Sequence, residues 1–191
     1  MQEMQKIRLA GELQTDSIVD GPGIRAVVWT QGCGHHCKGC HNPETWDFKG
    51  GMECDVDDIK RQLEQLEDHD GITLSGGDPM FQAKACYEIA KYAKELGFNV
   101  WCYTGFTYEQ LMVMNGRDPY ILKLLEQLDV LVDGKFELAQ KSLNLKFKGS
   151  RNQRIIDVPA SLDEGKVVIV DKYCEEKKWS PKYQKQEFLY I

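Results

Sequence analysis

Short apolar segments alternate with amphipathic helical segments along most of the chain, and this alternation restricts the possible folds more than any other feature. Runs of β-branched and apolar residues predict strands at residues 24–30, 72–74, 100–103, 130–132 and 165–170. Apolar residues at three- and four-residue spacing predict one helix that begins at Asp55 and others over residues 85–96, 107–114 and 119–128. Such alternation indicates parallel βα units with both faces of the sheet covered. We therefore expect an α/β fold built on a curved parallel sheet or a partial, open β/α barrel.

Residues able to bind ligands follow each of the first four predicted strands. In chain order these groups are Cys33, Cys37 and Cys40; Gly76, Gly77 and Asp78; Thr104 and Gly105; and Asp133, Gly134 and Lys135. The carboxyl ends of parallel strands meet at one edge of a sheet, and α/β proteins bind their ligands there. We therefore expect all four groups to lie on one rim.

The first of these groups is a loop with the pattern Cys33-x3-Cys37-x2-Cys40. Neighbouring glycines let the backbone of such a loop bend around a compact inorganic core. A cubane cluster has four irons, so three cysteine ligands leave one iron able to bind a small molecule. The loop therefore predicts an iron–sulfur cluster at which chemistry takes place.

Two other kinds of site are compatible with three clustered cysteines. An electron-transfer module is the first, although all four irons usually have protein ligands in such clusters. A zinc site is the second, with His35, His36 or His41 as the fourth ligand, but zinc sites usually have two separated ligand pairs. We expect His35 and His36 to be exposed loop residues.

The other four cysteines lack ligand-like spacing. Cys86 and Cys102 lie in apolar stretches and are interpreted as core residues, whereas Cys54 and Cys174 have no assigned role.

Composition excludes several classes of function. The 191 residues suit a single domain spanning 1–191, and a formal net charge of −6 argues against nucleic-acid binding. No apolar run is long enough for a membrane span, and the N-terminus lacks the apolar core of a secretory signal, so we expect a cytoplasmic protein with no membrane partner. Residues 172–191 are rich in Lys, Glu and Gln and are predicted to be poorly ordered or to dock late.

The cysteine loop after a first strand resembles that of the radical S-adenosylmethionine (SAM) superfamily, and residues 75–79 resemble its Gly-Gly-Glu/Asp-Pro element. The resemblance implies a partial barrel of the radical SAM type, one [4Fe-4S] cluster held by the three cysteines, and SAM on the open iron. It also implies that Gly76, Gly77 and Asp78 hold the methionine ammonium group. Many members have an aromatic residue where this chain has Gly39, so backbone contacts from Gly39 to His41 would serve the adenine. Tyr103 is either an aromatic neighbour of the cofactor or a core residue.

Further segments narrow the resemblance. Residues 20–25 and the second part of the cluster loop (31–48), from His41 to Phe48, resemble the activating enzymes of glycyl-radical enzymes, including those of pyruvate formate-lyase. Residues 131–137 and 148–159 resemble the activators of anaerobic ribonucleoside-triphosphate reductase. A deazaguanine-forming radical enzyme is of similar size, but its residues after the third cysteine look different. It is therefore the third candidate relative, after the two kinds of activating enzyme.

The resemblance implies that reduced flavodoxin or ferredoxin donates an electron, that SAM is cleaved, and that a glycyl radical forms on the reductase. It also implies that Asp133 and Lys135 contact the cofactor or a cation. Residues 152–154 either face the partner or cofactor or pair locally.

Overall fold

One mixed β-sheet runs through the part of the chain that the computed structural model describes, residues 5–173. Except for residues 172 and 173, the segment 172–191, which is predicted to be poorly ordered or to dock late, lies outside the described residues. The eight strands are β1 (Lys6–Leu9), β2 (Gln14–Ser17), β3 (Arg25–Thr30), β4 (Met52–Asp55), β5 (Gly71–Gly76), β6 (Asn99–Tyr103), β7 (Val130–Asp133) and β8 (Arg154–Asp157). The five α-helices are α1 (Val56–Leu63), α2 (Ala83–Glu95), α3 (Tyr108–Met114), α4 (Tyr120–Leu125) and α5 (Val158–Glu164).

The centre of the sheet is parallel and its two sides are antiparallel. Strands β3, β5, β6 and β7 pair in parallel and in that order, which confirms the four predicted strands and the α/β class. Strands β1 and β2 pair antiparallel to β3, β4 pairs antiparallel to β1, and β8 pairs antiparallel to β7. The sheet is therefore mixed rather than wholly parallel.

The main core lies on one face of the sheet. Alternate residues of the central strands, such as Ala26, Val28 and Leu74, pack with buried residues of the helices, such as Ile89 and Leu124. The opposite face carries a much smaller cluster of buried residues, formed by Trp101, Val130, Val132 and Ile155. The expectation that both faces of the sheet are covered is confirmed for the first face only, because the described helices contribute their buried apolar residues to that face.

The predicted strand at residues 165–170 is also wrong. Its residues run beside β8, where Asp157 N–H donates to Val168 O and Val170 N–H donates to Ile155 O, but they form only one isolated bridge, between Ile156 and Ile169. The segment therefore lies along the outer side of β8, a strand that was not predicted, without forming a regular strand itself.

Helix boundaries follow local sequence signals. Asp55 is at the N-cap of α1 as predicted, although its side chain makes no capping hydrogen bond and instead pairs with Lys6 at 2.7 Å. Helix α3 begins with a full capping box formed by Thr107 and Gln110.

Within residues 5–173, no helix is both long and apolar enough to cross a membrane.

Candidate active site at the cysteine loop

A cavity of about 450 Å³ lies at the carboxyl ends of the parallel strands. Its volume is within the range of small-molecule sites. Each of the four predicted groups contributes to its lining: Cys33, Cys37 and Cys40; Gly76 and Gly77; Thr104 and Gly105; and Gly134. The expectation of a single rim is therefore confirmed.

Backbone hydrogen bonds close the cysteine loop into a fixed shape. Gly32 N–H donates to Thr45 O at 2.8 Å and Cys33 N–H donates to Trp46 O at 3.2 Å, so the two ends of the loop are joined. Between them, Cys40 N–H donates to Cys37 O at 3.1 Å, and this turn contains Gly39 at φ +77°. The loop thus presents its three thiols to the cavity.

One of the three thiols accepts a backbone hydrogen bond, since Asn42 N–H donates to the Cys40 sulfur at 3.4 Å. Burial raises the pKa of both Cys33 and Cys37, and the nearby backbone N–H groups of His35 and Phe136, respectively, oppose the rise. Metal binding at these two thiols must therefore release protons.

The donor set suits a cubane cluster. Three thiols of one loop line the cavity, and each cysteine of a cubane binds a different iron, whereas a zinc site usually has four ligands in two separated pairs. The backbone N–H groups near the sulfurs suit a cluster as well, because hydrogen bonds to sulfur tune its reduction potential.

Gly76 and Gly77 bring the end of β5 against the base of the cysteine loop. Gly76 has φ +101°, and a Cβ atom there would lie 2.5 Å from Thr30 O. A Cβ atom on Gly77 would lie 2.5 Å from Gly32 O. Gly77 N–H donates to Thr30 O and Asp78 N–H donates to Gly32 O, at 2.7 and 3.0 Å. The glycines are thus required for contact between the two motifs, besides any approach to a ligand.

The Asp78 carboxylate lies beneath the cavity and is only 1% exposed. It accepts hydrogen bonds from the backbone N–H groups of Met80 and Gly105 and from the Thr104 hydroxyl, and it lies 2.7 Å from His35 Nε2. It does not line the cavity. Its predicted contact with a methionine ammonium group stays a prediction.

The two histidines between Cys33 and Cys37 differ in exposure. The His35 side chain is only 7% exposed and packs against Phe81 and Phe106, so the expectation of an exposed residue is wrong for it. His36 is exposed as expected, with its ring against Trp46.

The residues predicted near the adenine lie around the mouth of the cavity. His41 lines the cavity, and its ring centroid is 5.2 Å from that of Phe136. Gly39 is exposed and close to Leu138. Tyr103 lines the cavity, its hydroxyl donates to Phe147 O, and burial raises its pKa. Tyr103 is therefore both a wall residue and part of the packing behind it.

Asp133 and Lys135 do not line the cavity, although Gly134 between them does. The Asp133 carboxylate is buried and accepts hydrogen bonds from Tyr108 N–H and from the Arg154 guanidinium. Lys135 is exposed, and its positive charge favours the thiolate of Cys37. The cofactor contacts predicted for both residues stay predictions.

Residues 152–154 pair locally, and Gln153 also lines the cavity. Asn152 donates to Lys135 O, Gln153 donates to Gly134 O and accepts from Gly149 N–H, and Arg154 pairs with Asp133.

Trp46 and Phe136 are among the cavity-lining residues that sequence reasoning did not identify. The indole N–H of Trp46 is buried and has no hydrogen-bond partner within the described chain, so it is a donor available to a bound group. Both residues lie in segments selected for their resemblance, but nothing in their spacing marked them as wall residues.

Comparison with known proteins places the chain among iron–sulfur proteins. Residues 19–156 match the model of a family described as a 4Fe-4S single cluster domain. An anaerobic ribonucleoside-triphosphate reductase-activating protein of Vibrio cholerae is 36% identical over 146 residues, which cover 72% of this chain and 90% of the relative. The protein of the same name from Enterobacteria phage T4 is 31% identical over 72% of this chain and 86% of the relative. A pyruvate formate-lyase-activating enzyme of Clostridium pasteurianum is 38% identical over 92 residues, 46% of this chain and 39% of the relative.

Proposed function

We propose that this chain, which belongs to the anaerobic ribonucleoside-triphosphate reductase-activating protein family and to the 4Fe-4S single-cluster domain family, generates a glycyl radical on such a reductase. The observation that carries the proposal is the cavity itself. Three cysteines, rather than four, line one side of it, and the Gly76–Gly77 turn lines another.

Different residues of the cavity bind the cluster and SAM. Cys33, Cys37 and Cys40 hold the [4Fe-4S] cluster and leave one iron for SAM. When bound, the cluster would supply the electron for reductive cleavage of SAM, the chemistry by which a hydrogen atom is removed from a glycine of the reductase. The backbone of Gly76 and Gly77 would face the methionine end of SAM, and His41 would face the adenine end.

We further infer that the chain is a single domain with the partial barrel of the radical SAM type. The four parallel strands, with the main core on one face and the cavity at their carboxyl ends, support this inference. Reduced flavodoxin or ferredoxin as the electron donor and a cytoplasmic location are both parts of the proposal.

Pyruvate formate-lyase is the second candidate substrate. The 38% identity to an activating enzyme of that lyase favours it, but the match covers less than half of either chain. The matches to the reductase activators cover 72% of this chain, so the reductase is the preferred substrate. A simple electron-transfer module is disfavoured, because an open iron serves no purpose in electron transfer alone.

The test is to mix the anaerobically reconstituted protein, SAM and a reductant with the reductase or with formate-lyase, and to record electron paramagnetic resonance (EPR) spectra. We expect a glycyl-radical signal with the reductase that is absent without SAM and absent for Cys37→Ala. A signal with formate-lyase alone would contradict the choice of substrate. Cluster-replete protein that forms no 5′-deoxyadenosine from SAM and dithionite would contradict the reaction and favour the electron-transfer module.

A further inference from the structure

A buried pair of side chains joins the cysteine loop to the Gly-Gly-Asp turn. His35 Nε2 lies 2.7 Å from Asp78 Oδ2, and the two side chains are 7% and 1% exposed. The ring centroid of His35 lies 4.5 Å from that of Phe106 and 5.8 Å from that of Phe81. A Cβ atom on Gly105 would lie 2.4 Å from the His35 ring, so that position must be glycine to admit the ring. The ring is therefore enclosed on several sides.

The hydrogen bonds of Asp78 leave its carboxylate little capacity for another partner. The backbone N–H groups of Met80 and Gly105 and the Thr104 hydroxyl all donate to it, at distances between 2.9 and 3.0 Å. An ionised carboxylate only accepts hydrogen bonds, so His35 Nε2 is the donor in the fourth contact. These donors come from the cysteine loop, from the turn after β5 and from the end of β6.

The backbone of His35 also contacts the site of the cluster. Its N–H lies near the sulfur of Cys33, the first cluster ligand, and favours the thiolate there. Fixing the His35 ring therefore fixes the direction of an N–H group that faces this ligand. On the other side of the pair, Asp78 N–H donates to Gly32 O, so the turn and the loop are joined twice.

We propose that His35 and Asp78 are positioning residues that act as one unit. Asp78 supports SAM binding by holding His35 in place, and it does not contact the amino group of SAM. The pair holds the cluster ligands at a fixed distance from the Gly76–Gly77 backbone, so that one SAM molecule reaches both. This inference rests on the proposed function, because it assumes that SAM occupies the cavity. Loss of a hydrogen-bonded residue that orients a metal ligand typically costs about 10- to 100-fold in affinity or activity.

The proposal is tested with His35→Gln, His35→Asn, Asp78→Asn and the double variant His35→Gln/Asp78→Asn. His36→Gln is the matched control, because His36 is the adjacent histidine and is exposed. Each reconstituted protein is assayed for iron per chain and for thermal unfolding. The apparent Kd for SAM is measured from the change that SAM produces in the EPR spectrum of the reduced cluster, without any reductase present.

We expect the His35 variants and Asp78→Asn to raise the Kd for SAM by about tenfold or more at unchanged iron content. The Kd for SAM of the double variant is expected not to exceed that of the single variant with the higher Kd, because residues that act as one unit give non-additive effects. His36→Gln should match the wild type. If Asp78→Asn loses its iron, the His35 variants decide alone, since they keep the Asp78 carboxylate and its other three donors.

Three results would overturn the proposal. One is a normal Kd for SAM in both His35 variants, and another is a double variant in which the two effects multiply, as expected if Asp78 binds the amino group by itself. The third is loss of thermal stability in proportion to loss of SAM binding, which would indicate a general structural role. Failure of the proposed function looks different, since the wild-type spectrum would then not respond to SAM, and that result overturns both.

Discussion

The contact between the two motifs depends on single atoms. At Gly77 the backbone of the Gly-Gly-Asp turn passes so close to Gly32 that a Cβ atom would lie 2.5 Å from Gly32 O and 2.9 Å from its carbonyl carbon. Both neighbours are backbone atoms and cannot rotate away. The two hydrogen bonds that join the turn to Thr30 and Gly32 are made on the same surface. A methyl group at Gly77 must therefore separate the turn from the base of the cysteine loop.

Gly77→Ala is expected to lower the free energy of unfolding by about 1–3 kcal/mol, the range typical of a mutation that forces backbone shifts. It should also reduce iron loading, because the base of the cysteine loop moves. Gly11→Ala is the control, since no atom lies within 4 Å of a Cβ there, and its effect should stay within about 0.5 kcal/mol. Urea denaturation and iron analysis measure the two effects. A Gly77→Ala protein with normal stability and normal iron content would contradict the argument.

One arginine links helix α3 to two strands of the sheet. Arg154 on β8 donates to Asp133 at the end of β7 at 3.0 Å and to Glu109 on α3 at 2.8 and 3.0 Å. Asp133 also accepts from Tyr108 N–H at the start of α3. This explains why Asp133 follows a strand without facing the cavity: its carboxylate connects a helix and two strands.

The Arg154 guanidinium lowers the pKa of Glu109 to about 2. This folded-state pKa lies below the ordinary value of 4.5, so the stabilisation by Glu109 is fully present above pH 4.5 and is lost as the pH falls towards 2. Glu109 is 61% exposed, so solvent screening limits its contribution to about 0.5 kcal/mol. Denaturation of the cluster-free chain should show Glu109→Gln less stable than the wild type at pH 6 and equal to it near pH 2. Glu12 is exposed, so Glu12→Gln is the control and should match the stability of the wild type at both pH values. A stability difference between Glu109→Gln and the wild type that persists at pH 2 would contradict this account.

The sequence predicts the strands that depend on a local apolar pattern, and it misses strands and buried side chains that depend on distant partners. The parallel strands are apolar runs, and the residues after them reach one rim as expected, because strand direction alone brings them together. Strands β1 and β4 were missed, since they are short and half exposed and exist through pairing with each other. His35 was misjudged for a similar reason, because its burial depends on Phe81, Phe106 and Asp78, which lie more than forty residues away.

The cysteines of the described residues are distributed so that they can hold one cluster. Cys33, Cys37 and Cys40 line the cavity, whereas Cys86 and Cys102 are buried in the core as predicted. Burial raises the pKa of both core thiols, which disfavours the thiolate that a metal requires.

Iron content therefore distinguishes the cavity cysteines from Cys54, which is half-buried on the edge strand β4 and does not line the cavity. We expect the anaerobically reconstituted wild type and Cys54→Ala to bind about four irons per chain, and Cys37→Ala to bind few or none. Circular dichroism checks that the Cys37→Ala chain is folded, which we expect because backbone hydrogen bonds join the two ends of the loop. Iron well above or below four in the wild type, or loss of iron from Cys54→Ala, would rule out a single cubane in the cavity.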